Sequence, residues 1–194
     1  MRRVRIERNT KETQISANFN LDGCGEYKIE TPFPFLTHML SGFTKHGLFD
    51  LTLLAKGDTD IDDHHTVEDM GIVLGDAILK ALGENGNFTR FGYASIPLDE
   101  ALAQVTVDLS GRPYLVYNVA LPRRKIKMFD LDLIGHFFRS LTDRSHITLH
   151  INLLYGKDPH HILEAIFKAF GRALHQATRL NPQLKGVAST KGML

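Results

Sequence analysis

The sequence contains one pattern twice, and that duplication limits the folds open to it more than any other feature. When His64 is laid on His160, His65 falls on His161 and Glu68 falls on Glu164. Val67, Met70, Leu74, Ile78 and Ala81 fall on Leu163, Ile166, Phe170, Leu174 and Ala177, and Gly75 falls on Gly171. Two helical apolar stripes therefore coincide in phase and register. Upstream, His38 meets His136 and Phe43 meets Leu141, and the alternation Phe49, Leu51, Leu53 meets Ile147, Leu149, Ile151. Further upstream, Ala17, Phe19, Leu21 and Gly23 meet Val105, Val107, Leu109 and Gly111. Only loop lengths differ: the segment Pro122–Leu131 is extra in the second half, and the stretch before the second His pair is slightly shorter.

Each half thus reads as four strands and two helices. The first half has strands near Arg2–Arg8, Gln14–Leu21, Glu26–Glu30 and Phe49–Ala55, with helices near Phe35–His46 and His64–Leu82. The second has strands near Ala94–Ile96, Leu102–Leu109, Tyr114–Ala120 and Ile147–Leu153, with helices near Leu131–Asp143 and His160–Arg179. The turns Asp22–Gly25 and Ser110–Pro113 sit between alternating strands and are expected to close hairpins. The expected class is α+β, with duplicated half-domains, each a mainly antiparallel four-stranded sheet carrying two helices. We expect one domain of two repeats, about 1–92 and 93–186, and a functional arm over 187–194. The extra segment, with Arg123-Arg124-Lys125, reads as a solvated or interface loop.

Charge and composition exclude several classes of function. Lys+Arg is 23 and Asp+Glu is 22, a net charge of +1, so no global field gathers nucleic acid or anionic membrane. No apolar run is long enough to span a bilayer, and the start MRRVRIERNT has no apolar stretch behind its charges. The one cysteine, Cys24, forms no intrachain disulfide, and the cytoplasm is the expected compartment.

The 10 histidines are clustered rather than scattered. In a helix, residues i and i+4 share a face, so His64 with Glu68, and His160 with Glu164, can each clasp one metal ion. His65 and His161 point about 100° away and can reach a second ion. His38 and His136 add one imidazole per half. A lone helical His is usually surface or core, but six His and two Glu in matching positions favour metal. Imidazole with carboxylate suits Zn, Mn, Fe or Ni, and the lack of Cys ligands argues against a structural zinc site. The acidic residues Asp58, Asp60, Asp62, Asp63 and Asp69 either hold imidazole N–H groups or cap the helix.

At these residues the chain resembles the imidazoleglycerol-phosphate dehydratases of histidine biosynthesis. The resemblance rests on Asp60–Gly71 (DIDDHHTVEDMG) with the second His-His-x-x-Glu, and on Arg8–Ile15, Leu98–Leu102, Val107–Leu115, Gly135–Leu141 and Ser189–Gly192. It implies the duplicated fold of ribosomal protein S5 domain 2, two Mn²⁺ per subunit, and a 24-subunit homo-oligomer built of trimers. It implies metal ligation by His38, His64, His65, Glu68, His136, His160, His161 and Glu164. It assigns substrate and phosphate contacts to Glu12, Arg90, Arg112, Ser189 and Lys191, with Glu12 first and Glu164 second as the acid or base. Arg112 stands where the first half has Cys24, so the repeat is broken there.

The implied reaction is a lyase dehydration of imidazoleglycerol phosphate to imidazole acetol phosphate. No carbonyl acidifies the carbon-bound proton, and the sequence has no dinucleotide fingerprint or pyridoxal motif. The electron sink is then the substrate's own ring, as a dimetal-bound imidazolate that expels hydroxide through a diazafulvene. Two other classes compete. A dimetal hydrolase would use the same ligands with metal-bound hydroxide. An S5-like RNA module or a structural metal shell would need no Glu12, Arg112 or Ser189–Gly192, and RNA binding would call for a basic, aromatic face.

Overall fold

The computed structural model describes residues 2–83, 86–184 and 186–191. In the first half, β1 (Arg3–Asn9) and β2 (Thr13–Asn20) form an antiparallel hairpin, paired from Arg3–Asn20 to Asn9–Gln14. β3 (Tyr27–Glu30), α1 (Pro34–Gly47), β4 (Asp50–Gly57) and α2 (Asp63–Leu82) complete it. The second half repeats this order as β5 (Phe91–Leu98), β6 (Ala101–Asp108), β7 (Tyr114–Asn118), α3, β10 and α4. There α3 is Leu133–Ser145, β10 is Thr148–Tyr155 and α4 is Pro159–Thr178. The extra segment, expected as a loop, contains a two-stranded hairpin of β8 (Lys125–Ile126) and β9 (Phe129–Asp130). Among the described residues no helix is long and apolar enough to cross a membrane.

The turns at Asp22–Gly25 and Ser110–Pro113 are not hairpin turns. β4 lies between β2 and β3, giving the order β1-β2-β4-β3, and β10 lies between β6 and β7, giving β5-β6-β10-β7. β3 runs parallel to β4, and β7 parallel to β10, so α1 and α3 are crossover helices. Parallel neighbours need such a crossover, whereas a tight turn suffices only for antiparallel ones. The insertion puts the strand with buried Leu51, Leu53 and Ala55 in the sheet interior. It leaves the short, largely exposed β3 at the edge, where an unpaired rim is tolerated. Two of the three pairings in each sheet remain antiparallel.

The halves meet through their helices, α2 against α3 and α1 against α4. The repeat is visible in how they touch. A Cβ on Gly75 of α2 would lie 2.6 Å from the Leu141 carbonyl of α3, and one on Gly171 of α4 would lie 2.4 Å from the Phe43 carbonyl of α1. Gly75 matches Gly171, and Leu141 matches Phe43, so the same close approach is made twice with the halves exchanged. Phe43 stacks on Phe170 across the second contact, with ring centroids 5.0 Å apart. One core takes residues from both halves.

The arm is tied to the start of the second half. The Arg90 guanidinium donates to the Ala188 carbonyl at 2.6 Å, and Val187 lies against Gly86. Residues 192–194 of the arm, and 84–85 of the linker between the halves, lie outside the described residues.

Candidate functional site

Both His-His-x-x-Glu segments begin their helices in the same way. Asp62 accepts the N–H of His64 at 2.9 Å, and Asp158 accepts the N–H of His160 at 2.8 Å. Each is an N-cap two residues ahead of the first imidazole, so the cap sets where the helix starts and hence where the His side chains project. Asp62 is therefore a cap, one of the two roles open to that acidic run.

The helix pairing then regroups the candidate ligands. Sequence alone puts His38 with His64 and Glu68 of its own half, and His136 with His160 and Glu164. The structure exchanges them, because α1 lies on α4 and α3 lies on α2. His38, His160 and Glu164 offer ligand atoms all within 4.8 Å of one another. Glu164 Oε2 is 3.3 Å from His38 Nε2 and 3.2 Å from His160 Nε2. In the other group the His64 and His136 rings are 4.4 Å apart between centroids, and His64 Nε2 is 3.7 Å from Glu68. Each group therefore joins one His from one half to a His and a Glu from the other.

His65 and His161 belong to neither group. Asp58 holds the Nδ1–H of His65 at 3.1 Å, and Glu100 holds that of His161 at 2.7 Å. The carboxylates raise both imidazoles above their ordinary pKa. In the neutral ring a carboxylate at Nδ1 favours the Nδ1–H tautomer, which leaves the lone pair on Nε2. Glu100 itself is held down to about 2, chiefly by the Asp158 N–H, then by His161 and the Lys157 N–H.

Glu12 lies in the β1–β2 turn, 3.9 Å from His65 Nδ1. The turn is fastened from both sides. Thr10 Oγ accepts the N–H groups of Glu12 and Thr13. Below it the buried Asp69 accepts the Thr13 hydroxyl at 2.5 Å and pairs with Arg8 at 2.8 Å. These contacts give Arg8, Thr10 and Thr13 their polar partners, and they hold Glu12 over the start of α2.

Lys168 is a residue that sequence reasoning missed. Its ammonium lies 2.7 Å from Glu164 Oε1, leaving Oε2 to the two imidazoles. Burial pushes Glu164 up, but Lys168 and then His38 outweigh it and hold the carboxyl below its ordinary value. Laid on the first half, Lys168 falls on Ile72, so among the described residues Glu68 has no lysine partner; that break in the repeat was the available signal.

A cavity of about 620 Å³ runs beside the first group, lined by His38, His160, Phe35, Phe129 and Met128. Asp63, the neighbour of His64, also lines it, so the starts of α2 and α4 share one end of the molecule. A second cavity, of about 640 Å³, is lined by Arg90, Arg112, Ser189 and Lys191 together. All four residues assigned to phosphate thus converge there. Arg90 spends much of its fork on Asp108, at 2.7 Å and 3.2 Å, and on the Ala188 carbonyl, so it fixes the arm as well as lending charge. Arg112 is exposed, and Ser189 Oγ accepts the Lys191 N–H at 3.2 Å.

A family model described as imidazoleglycerol-phosphate dehydratase matches residues 31–174. Among curated relatives, the imidazoleglycerol-phosphate dehydratase of Geobacter metallireducens is 55% identical over 193 residues, covering 100% of this chain and 99% of its own. That of Pelobacter propionicus is 56% identical with the same coverage. Among solved structures, the imidazoleglycerol-phosphate dehydratase of Staphylococcus aureus superimposes with a TM-score of 0.83 at 40% identity, covering 92% of this chain and all of its own. The Pyrococcus furiosus enzyme, solved in complex with (S)-C348, gives 0.84 at 37% identity, covering 97% of this chain and all of its own.

Proposed function

The chain belongs to the imidazoleglycerol-phosphate dehydratase family, hydro-lyases of histidine biosynthesis, and from that premise we propose how its residues divide the reaction. The observation that carries the reading is the convergence of His38, His160 and Glu164. Two imidazoles and a carboxylate that share one space fit a divalent transition cation. His64, Glu68 and His136 form the matching group, so the reading holds two cations per chain, with manganese the ion that the sequence resemblance implies. When bound, the cations would supply positive charge at the substrate's ring nitrogens and favour loss of the ring N–H proton.

The chain's own residues supply the rest. The ring, as imidazolate, expels the neighbouring hydroxyl as hydroxide to give a diazafulvene, which takes up the electron pair left when the carbon-bound proton is removed, and the resulting enol tautomerises to the ketone. Glu12 moves the carbon-bound proton; it is exposed, fixed by Thr10 and Asp69, and stands at the same end as both ligand groups. Glu164 is the less apt base, because Lys168 and two imidazoles already claim its oxygens. Arg112, Ser189, Lys191 and Arg90 bind the phosphate by charge and N–H donors.

The two subsites are far apart within one chain. Arg90 N–H donates to the Ala177 carbonyl at the C-terminal end of α4, whereas His160 and Glu164 sit at its N-terminal end. From Glu164 to Ala177 the helix rises about 20 Å, at 1.5 Å per residue. A three-carbon phosphate ester does not span that distance. The reading therefore builds each active site from more than one chain: ligand groups from one meet the phosphate cavity of another, and His65 and His161 complete a neighbour's metal shell. This supports the large homo-oligomer of trimers, the 24-mer, that the resemblance implies. We take the chain as one domain of two repeats with the arm as a working part. A free, exposed Cys24 fits the reducing cytoplasm.

Glu12→Gln tests the division of labour. It is expected to keep metal content and fold while lowering kcat by about 10²–10⁴, the usual cost of losing a general base. Steady-state turnover of imidazoleglycerol phosphate, measured with elemental analysis of the same sample, checks this. A fall of less than about fivefold would move the role to Glu164.

A further inference from the structure

We propose that one duplicated carboxylate position has been divided between two tasks: Glu100 and Asp58 are positioning residues for His161 and His65, and Asp58 thereby frees Glu12 for chemistry. This rests on the metal reading above. The alignment that lays Leu21 on Leu109 also lays Glu12 on Glu100. Both stand in the hairpin turn of their half, Glu12 between β1 and β2 and Glu100 between β5 and β6. Both face the second imidazole of their own pair. Their contacts nevertheless differ. Glu100 holds His161 Nδ1 at 2.7 Å, whereas Glu12 stands 3.9 Å from His65 Nδ1. The contact that Glu12 lacks is taken by Asp58, at 3.1 Å.

Asp58 directly follows Gly57, and the irregularity in β10 between Leu153 and Tyr155 puts Gly156 in the place of Gly57. A Cβ on Gly57 would meet Thr66, and one on Gly156 would meet Ile162, the matching residue of the second half. The counterpart of Asp58 is therefore Lys157, which has no carboxylate to offer. The second half must therefore use its turn glutamate to orient its imidazole, while the first half has a substitute and keeps its turn glutamate unengaged beside the ligands. A fold built from two equal halves thus acquires a single acid–base residue. Orientation of a ligating His through its other nitrogen typically governs metal affinity by 10–100-fold.

The test is Mn²⁺ binding to the full-length chain, read by electron paramagnetic resonance of the free ion, for the wild type, Glu12→Gln, Asp58→Ala, Asp58→Ala/Glu12→Gln and Glu100→Ala. Glu100→Ala is expected to weaken binding about 10–100-fold. Glu12→Gln alone should stay within about twofold of wild type, and Asp58→Ala should lose less than about fivefold because Glu12 swings onto the vacated Nδ1–H. The double variant should fall as far as Glu100→Ala. Glu100 also accepts backbone N–H groups of Lys157 and Asp158, so a misfolded Glu100→Ala would leave the comparison to the Asp58 series. The Asp58 carboxylate has His65 as its only side-chain partner among the described residues. Independent, additive effects of Asp58→Ala and Glu12→Gln, or a double variant that binds like wild type, would overturn the proposal. A wild-type chain that takes up no Mn²⁺ would overturn the metal reading with it, whereas equal binding by every variant would overturn this inference alone.

Discussion

His160→Ala is expected to abolish dehydration and to empty one of the two proposed cation sites, whereas loss of an outer partner typically weakens affinity by about 10–100-fold. His160 provides one of three donors that share a space, and its ring also packs on His38, with centroids 5.3 Å apart, and edge-on to Phe35. Without it, Glu164 keeps, among the described residues, His38 and the Lys168 ammonium, a cation that competes with a metal for the same carboxylate. His64→Ala should have the same consequence in the matching group, where His64 packs against His136. Inductively coupled plasma analysis beside turnover checks both variants. Wild-type turnover with full metal in either would remove its histidine from the ligand set.

Exhaustive chelation is expected to break the proposed large homo-oligomer into small species, most simply trimers, and Mn²⁺ should restore it. Each ligand group offers two imidazoles and one carboxylate, while His65 and His161 are held pointing elsewhere by Asp58 and Glu100. If those imidazoles complete a neighbour's shell, the cation binds the assembled state and not its parts. It then stabilises the assembly by linkage, in proportion to the logarithm of its concentration over Kd. Sedimentation velocity before and after chelation measures this. A metal-free chain of unchanged size would place the complete sites within one subunit.

Much of this was legible in the sequence, and the gaps have identifiable causes. The duplication, the helices and the His–Glu pairs at their starts could be read because helical periodicity and the i,i+4 spacing are local properties. The strand order could not, since alternation defines which face of β3 or β4 is apolar and says nothing about its neighbours. The exchange of His38 and His136 between halves depends on which helices pack together. Gly75 and Gly171 marked those contacts, but a glycine in a helix does not name its partner. Asp58 was legible as one of the acidic residues that either hold an imidazole N–H or cap the helix, and folding brings it to His65; Glu100 is quieter, a polar turn residue that only folding brings to His161. Lys168 shows the value of a broken repeat, because a lysine on one stripe opposite an isoleucine on the other has no reason in the shared core.

The central claim is that the active site is assembled between chains, and subunit mixing tests it most directly. Glu12→Gln lacks the proposed base but keeps the phosphate cavity. Arg112→Ala/Lys191→Ala lacks cavity cations but keeps the base and both ligand groups. Each homo-oligomer should be nearly inactive at low substrate concentration. Chelated together, mixed in equal amounts and reassembled with Mn²⁺, they should recover about a quarter of wild-type activity, because a random assembly of shared sites pairs an intact base with an intact cavity that often. Activity no higher than the sum of the two separate variants, in particles shown to be mixed, would contradict the account and confine each site to a single chain.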